Sequence, residues 1–104
     1  MGKFLMVVTS SARDGRDDEF NAWYDSTHLN EICALPGVTG GRRYDAIPAT
    51  PHPQPTPYLA LYEIEADDPS SVLAEMMRRS QAGEMSMSDA VDGENAKIWM
   101  YELH

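Results

Sequence analysis

The order in which strand and helix patterns follow one another constrains the fold of this chain more than any other feature. Four short apolar segments have the composition and alternation of strands: residues 3–9, 38–46, 58–65 and 96–103. Two segments have helical spacing, the first over residues 17–35 and the second after Asp67-Asp68-Pro69-Ser70. In the second, Val72, Leu73, Met76 and Met77 form an apolar stripe, which predicts methionines in the core. The predicted order is βαββαβ.

Local signals mark the ends of these elements. Acidic residues 17–19 suit a helix N-terminus, and Pro36-Gly37 ends the same helix. Gly40-Gly41 weakens the second strand and predicts a bulge or a close approach. Residues 47–57 carry five prolines, so we expect an extended loop that acts as a lid, as an arm onto a partner subunit, or as a plain connection.

The simplest packing of these elements is an α+β ferredoxin-like sandwich, in which two helices cover one face of a four-stranded sheet. With 104 residues, the chain fits one domain, residues 1–104. Residues 58–65 and 97–103 carry large apolar side chains on both faces. We therefore expect the uncovered face to pack on a second subunit, so that two sheets form a dimeric α/β barrel.

Charge and cysteine content exclude several classes of partner. A net charge of -9 argues against nucleic acid and against an anionic membrane surface. The single cysteine, Cys33, allows no internal disulfide and is expected to be structural. The apolar start of the chain is too short for a signal peptide, and no segment has the length of a membrane span. The expected compartment is the cytoplasm.

The first helix carries ionisable groups near its apolar side. At 100° per residue from Phe20, Trp23 falls at about 300°, Glu31 at about 20°, Tyr24 at about 40° and His28 at about 80°. Tyr24 and His28 are four residues apart, and His28 and Glu31 three, so each pair is able to touch. The pattern predicts the wall of a pocket, although a half-buried histidine and a solvated or capping glutamate remain the simpler interpretation.

His28 is the predicted proton carrier, because imidazole takes and gives a proton near neutral pH. Asp25 or Glu31 is expected to hold its second ring nitrogen, and Tyr24 to donate a hydrogen bond to a carbonyl or enolate oxygen. We thus name His28, Tyr24 and Glu31 as catalytic candidates. The substrate-binding candidates are Trp23, Asp25, Arg43, Tyr44, Tyr62 and Trp99.

Metal and cofactor signals are weak. The three histidines, His28, His52 and His104, lie in a helix, in the proline-rich loop and at the C-terminus, so three ligands would converge only if the loop folded inward. His28 as an axial haem ligand is a further alternative, disfavoured by the small number of arginines available to meet propionates. No glycine-rich phosphate loop precedes a helix. We expect no metal and no cofactor.

The first helix and the segment after it resemble the EthD-like branch of the dimeric α/β-barrel superfamily. The resemblance covers residues 4–46 and rests on Phe20-x-x-Trp23-Tyr24-Asp25-x-x-His28-x-x-Glu31, then Leu35-Pro36-Gly37 and Arg43-Tyr44. It implies a homodimer whose protomers each hold a cavity for a small hydrophobic, often aromatic or polyketide-like, molecule. It also implies acid/base chemistry at the first-helix histidine, which His28 matches.

These observations favour a small cofactor-free enzyme of the lyase, isomerase or cyclase type that acts on a hydrophobic carbonyl or aromatic compound. Two alternatives stay open. One is a non-catalytic accessory protein that binds a metabolite in the same cavity. The other is a cofactor-free monooxygenase, which would need an easily oxidised substrate.

Overall fold

The computed structural model describes all residues 1–104 as a four-stranded antiparallel sheet with helices on one side. The strands are β1 (Gly2–Ser10), β2 (Val38–Asp45), β3 (Tyr58–Ala66) and β4 (Lys97–Glu102). The helices are α1 (Asp17–Trp23), a π-helical turn (Tyr24–His28), α2 (Leu29–Cys33) and α3 (Ser70–Gln81). The sheet order is β2-β3-β1-β4. This is the predicted α+β ferredoxin-like arrangement, with each boundary within two residues of its predicted position except where the structure divides the first helix.

The register of the strands determines which side chains share a face. Met6 of β1 lies opposite both Tyr62 of β3 and Met100 of β4. This set faces the helices, and Met6 and Tyr62 are fully buried there. We call this face the helix side. Residues of opposite parity, among them Val7 paired with Leu61 and Trp99, lie on the other face, which we call the open side.

The first helix packs on the helix side through aromatic and aliphatic residues. Phe20 is fully buried, and its ring contacts those of Tyr24 and Tyr58 at 5.7 and 5.3 Å between centroids. Ile32 and Leu35 are 2% exposed and complete the contact near the helix end. From α3, Val72 is fully buried in the same core. Burial of such side chains is the main stabilising contribution in a domain of this size.

Glycines fulfil the roles that the sequence predicts for them in β2. The register between β2 and β3 shifts between Val38 and Gly40, which is the predicted irregularity. At Gly41, a Cβ atom would lie 2.6 Å from the ring of Tyr62 and 2.9 Å from Sγ of Cys33. Gly41 is therefore required by the close approach of the helix and the sheet.

α3 is terminated by a glycine, and only one of its two methionines packs in the core. The helix ends in a Schellman motif, since Glu84 N–H donates to Arg79 O at 2.8 Å and Gly83 has φ 75°. Met76 packs against the core as expected. Met77 does not, and its 63% exposure corrects the prediction that the whole stripe is core. The buried face of α3 is therefore narrower than the set of apolar residues in its sequence suggested.

Residues 84–91, which we call the strap, follow α3 without regular structure and run back along the first helix. Met85 and Ala90 of the strap are buried in the core, and Val91 forms an isolated bridge with Ala12. The proline-rich loop 47–57 is exposed over nearly its whole length, and its role as a lid or an arm stays a prediction. None of the helices has the length and apolar character that a bilayer span requires.

Candidate functional site

The π-helical turn brings together two rings that a regular α-helix would hold apart. Leu29 N–H donates to Tyr24 O, a bond between residues five apart, which is the hydrogen-bond pattern of a π-helix. Residues five apart on an α-helix point about 140° away from each other. In this turn the rings of Trp23 and His28 instead stack, with 4.4 Å between centroids and 17° between planes.

The stack leaves one edge of His28 accessible. Nδ1 is buried and lacks a hydrogen-bond partner, although Oε1 of Glu31 lies 3.6 Å from it. Trp23 covers one face of the imidazole, and the ring of Tyr24 stands almost perpendicular to it at 4.8 Å. Nε2 makes no hydrogen bond in the structure and, unlike Nδ1, is not fully buried. A ligand would thus meet this histidine at Nε2.

Burial sets the protonation of His28. Removal from water disfavours imidazolium and lowers the pKa of His28, and the positive charge of Arg43 acts in the same direction. The carboxylate of Glu31 opposes this by stabilising imidazolium, but burial has the larger effect. The ring is therefore mainly neutral near pH 7. In that form one nitrogen donates a hydrogen bond and the other accepts one.

Glu31 connects the histidine to the strap. Its Oε2 accepts a hydrogen bond of 2.7 Å from the backbone N–H of Ser86, and its Oε1 accepts a longer one of 3.4 Å from Ser86 Oγ. Nε1 of Trp23 donates to the same Oγ at 3.1 Å. Glu31, Trp23 and His28 thus form one connected group around Ser86.

Arg43 and Asp25 bind each other beside this group. Nη1 of Arg43 donates to Oδ1 of Asp25 at 2.7 Å, and Nη2 donates to Oδ1 of Asn21 at 2.8 Å. The guanidinium lies over the ring of Tyr24, 4.4 Å from its centroid, and only 14% of the side chain is exposed. The structure therefore places Arg43 between the sheet and the first helix, paired and stacked rather than free.

Tyr24 and Tyr62 lie beneath the site. Their hydroxyl oxygens are 2.7 Å apart, and the two residues are 3% and 0% exposed. Burial raises the pKa of both phenols. Tyr24 thus reaches His28 with its ring, while its hydroxyl is directed toward the core.

Tyr44 and Trp99 are not brought to His28. Tyr44 pairs with Leu59, and Trp99 pairs with Val7, so both lie on the open side of the sheet. A concavity of about 550 Å³ opens on that side near Leu5, Tyr101 and Leu103. It does not reach His28. The structure therefore groups seven of the nine predicted site residues on the helix side and leaves two on the opposite face.

Two features of this site have no signal in the sequence. Ser86 is 55 residues from Glu31 and lies in a segment without periodicity, so no pattern links them. The stack of Trp23 on His28 depends on the π-helical turn, which a calculation at 100° per residue does not anticipate. Cys33 is free and partly buried, and burial raises the pKa of its thiol, in line with the structural role expected for it.

Solved structures of similar fold identify the architecture. The haem degrader MhuD from Mycobacterium tuberculosis, with two haems bound in its active site, aligns with a TM-score of 0.66 and 12% identity, covering 96% of this chain and 94% of that one. An ethyl tert-butyl ether D (EthD) family protein from Bacillus halodurans aligns over 100% of both chains, with a TM-score of 0.66 and 16% identity. HapK from Hahella chejuensis has a TM-score of 0.54 and 15% identity, covering 100% of this chain and 93% of that one.

Sequence comparisons add no closer relationship. No protein-family model matches this sequence, and no curated protein matches it either. At identities of 12% to 16%, the alignments show a shared fold and leave the chemistry open. The expected resemblance to EthD-like proteins is thus supported by structure: the chain has the ferredoxin-like α+β fold that it shares with an EthD family protein along its entire length.

Proposed function

We propose that this protein binds a small hydrophobic molecule beside the first helix and performs acid/base chemistry on it with His28. One observation carries the proposal: His28 has an accessible Nε2 edge, while its buried Nδ1 faces the carboxylate of Glu31 at 3.6 Å. A carboxylate opposite Nδ1 favours the tautomer that carries its proton there, which leaves Nε2 free to accept a proton.

The neighbours of His28 have distinct proposed roles. Glu31 orients the ring and stabilises imidazolium when Nε2 takes a proton. Trp23 fixes the ring plane by stacking and presents apolar surface beside it. Tyr24 positions the imidazole through its ring, because its hydroxyl is bound to Tyr62. Arg43, which is paired with Asp25, stacks on Tyr24, and Tyr62 bonds to its hydroxyl. Both contacts hold Tyr24 in place.

The substrate we propose is a hydrophobic aromatic or polyketide-like carbonyl compound, and the reaction is of the lyase, isomerase or cyclase type. Abstraction of a proton next to a carbonyl needs one base of suitable pKa within hydrogen-bond reach. The lowered pKa of His28 supplies a neutral base near pH 7. The single, unpaired Cys33 supports the cytoplasm as the compartment.

We propose that a second copy of the chain covers the open side. Trp99 and Tyr101 of β4 and Leu103 just after it are 41%, 59% and 71% exposed on that face, which is unusual for three large apolar residues so close together. Pairing of two open sides would bury them and form the dimeric barrel. Tyr44 and Trp99 then contribute to the interface or to a ligand held there. Trp99→Glu is expected to convert a dimer to a monomer in sedimentation equilibrium.

Haem, which MhuD binds, does not fit the surroundings of His28. No lysine or arginine lies between residues 17 and 35, and Arg43 is already bound to Asp25 and Asn21. The propionates would therefore meet carboxylates rather than free cations. We include no haem in the proposed chemistry.

Two other functions remain candidates because Tyr24 has no free hydroxyl to assist catalysis. A non-catalytic metabolite-binding protein would use the same wall without proton transfer. A cofactor-free monooxygenase would consume oxygen together with an easily oxidised substrate, such as a hydroquinone.

The test is proton exchange in D₂O. The protein is incubated with a panel of aromatic ketones and 1,3-dicarbonyl compounds, and loss of the proton next to the carbonyl is followed by ¹H NMR. We expect exchange by the native protein and a loss of about 10²-fold or more in His28→Gln, the usual scale of general acid/base catalysis.

His52→Gln is the matched control, because His52 lies exposed in the proline-rich loop. It is expected to retain the native rate. Equal rates in His28→Gln and the native protein would refute the catalytic assignment. Binding of a panel compound without exchange would favour the accessory protein, and oxygen uptake with hydroquinones would favour the monooxygenase.

A further inference from the structure

Ser86 lies where the strap crosses the site. Its N–H donates to Oε2 of Glu31 at 2.7 Å, which is the shortest polar contact that Glu31 makes. Its hydroxyl accepts from Nε1 of Trp23 at 3.1 Å and lies 3.4 Å from Oε1 of Glu31. One residue of the strap therefore contacts both side chains that flank His28.

The strap is held on both sides of Ser86, so its position is well defined. Before Ser86, Met85 is 6% exposed and packs in the core. After it, Oδ1 of Asp89 accepts a hydrogen bond of 2.7 Å from Arg16, and Ala90 O accepts one of 2.8 Å from Arg13 N. These contacts hold the strap against the rest of the chain on both sides of Ser86.

A glutamate has three rotatable side-chain bonds and loses substantial entropy when it is fixed in one orientation. Glu31 has no arginine or lysine partner, and the Ser86 N–H is the one group that bonds to its Oε2. With Oε2 bound in this way, Oε1 is the oxygen that faces Nδ1 of His28.

We propose that Ser86 is a positioning residue of the site, whose backbone N–H anchors Oε2 of Glu31 and thereby holds Oε1 toward Nδ1 of His28. This inference rests on the proposed function, since it concerns the same histidine. It adds that the strap, 55 residues away in sequence, helps to determine how readily His28 takes a proton.

Three other groups act on His28 and must be separated from this effect. Arg43 of β2 disfavours imidazolium, while Asp25 neutralises part of that charge by pairing with Arg43 at 2.7 Å. Tyr24 contributes its ring and remains neutral, because burial raises the pKa of its phenol. None of these groups contacts Ser86, so a change at Ser86 reaches His28 through Glu31 or through Trp23.

The experiment is an NMR titration of the His28 ring in the full chain. Ser86→Pro removes the donating N–H. We expect it to lower the pKa of His28, in the same direction as Glu31→Gln, because imidazolium loses its oriented carboxylate. In the Glu31→Gln background, Ser86→Pro should cause no further shift, since the anchor then has no carboxylate to orient.

Ser86→Ala is the matched control, because it removes the hydroxyl and keeps the N–H that donates to Oε2 of Glu31. It is expected to leave the pKa of His28 close to the native value. An unchanged value in Ser86→Pro would overturn the proposal, and so would additive shifts in the double variant.

A second measurement keeps the test decisive if Ser86→Pro does not fold. In Glu31→Gln, the amide proton of Ser86 should move upfield, because a neutral acceptor forms a weaker hydrogen bond than a carboxylate. An unmoved resonance would overturn the anchor. The proposed function is tested separately. Native exchange rates in His28→Gln would refute it, whatever the titration of His28 shows.

Discussion

The two sides of the sheet use similar residue types in opposite ways. On the helix side, the hydroxyls of Tyr24 and Tyr62 bond to each other and the guanidinium of Arg43 is paired and stacked. On the open side, Tyr101 and Trp99 are 59% and 41% exposed. Aromatic residues therefore form a closed network on one side and leave apolar surface on the other.

Because of this difference, we expect the helix side to determine the stability of a single chain and the open side to determine its association with a second copy. The helix side is complete within one chain, because its buried polar groups have partners there, apart from Nδ1 of His28. That exception is a reason to regard His28 as a functional residue. The open side has side chains suited to burial but has nothing to bury them against within one chain. Substitutions on the two sides should consequently affect different measurable quantities.

The largest expected effect on folding is that of Phe20→Ala. Phe20 is fully buried and contacts Trp23, Tyr24 and Tyr58, so its truncation should lower the free energy of unfolding by about 3–5 kcal/mol. Tyr101→Ala on the open side should lower it by less than about 0.5 kcal/mol in dilute protein. Urea unfolding at two protein concentrations measures both.

The critical test of this contrast is how the stability of each variant depends on protein concentration. Tyr101→Ala should weaken stability only at concentrations where copies of the native chain associate. A loss in dilute Tyr101→Ala as large as that in Phe20→Ala would show that the open side is part of the protomer's own core.

A smaller effect is expected at the buried tyrosine pair. Tyr24→Phe and Tyr62→Phe each leave one buried hydroxyl without its partner, which should cost about 1–3 kcal/mol. The double variant removes both hydroxyls and should cost clearly less than the sum of the two. Additive losses by urea unfolding would mean that the hydroxyls stabilise the fold independently.

The adjacent glycines Gly40 and Gly41 differ in how much space each leaves for a side chain. In Gly41→Ala, the new Cβ would lie 2.6 Å from the Tyr62 ring, and overpacking of this kind should cost about 1–3 kcal/mol. Gly40→Ala is the control, because its Cβ would meet no atom closer than Glu63 Oε2 at 4.0 Å. Equal thermal stability of the two variants would contradict the close approach of the helix and the sheet at Gly41.

The fold was largely predictable from sequence because each element has its own local signal. Periodicity distinguished the four strands from the helices, and Gly40-Gly41 marked the irregular start of β2. Periodicity did not reveal that Met77 is exposed, because an apolar residue at the edge of a helical stripe looks the same in either case. Register then decided which residues face the helices, and alternation alone could not assign that for Tyr44 and Trp99.

The site was predictable only in part, because its geometry depends on two non-local or irregular features. The contacts of His28 with Tyr24 and Glu31 follow from helical spacing. Its stack with Trp23 follows from the π-helical turn, and the binding of Glu31 follows from tertiary packing of the strap. Neither leaves a pattern in a single sequence.

The smallest expected effect is a pH dependence of stability that belongs to the helix side alone. The pKa of His28 is lower in the folded protein than in the unfolded chain, so the unfolded state binds more protons as the pH falls below about 6.5. The native protein should therefore lose stability on acidification from that point, with a slope of at most about 1.4 kcal/mol per pH unit from this group. His28→Gln should remove that part of the slope, whereas His52→Gln, at an exposed position, should keep it. Identical slopes in the native protein and His28→Gln between pH 5 and 7 would show that burial of His28 does not control its protonation, and would remove the physical difference between this histidine and the exposed ones.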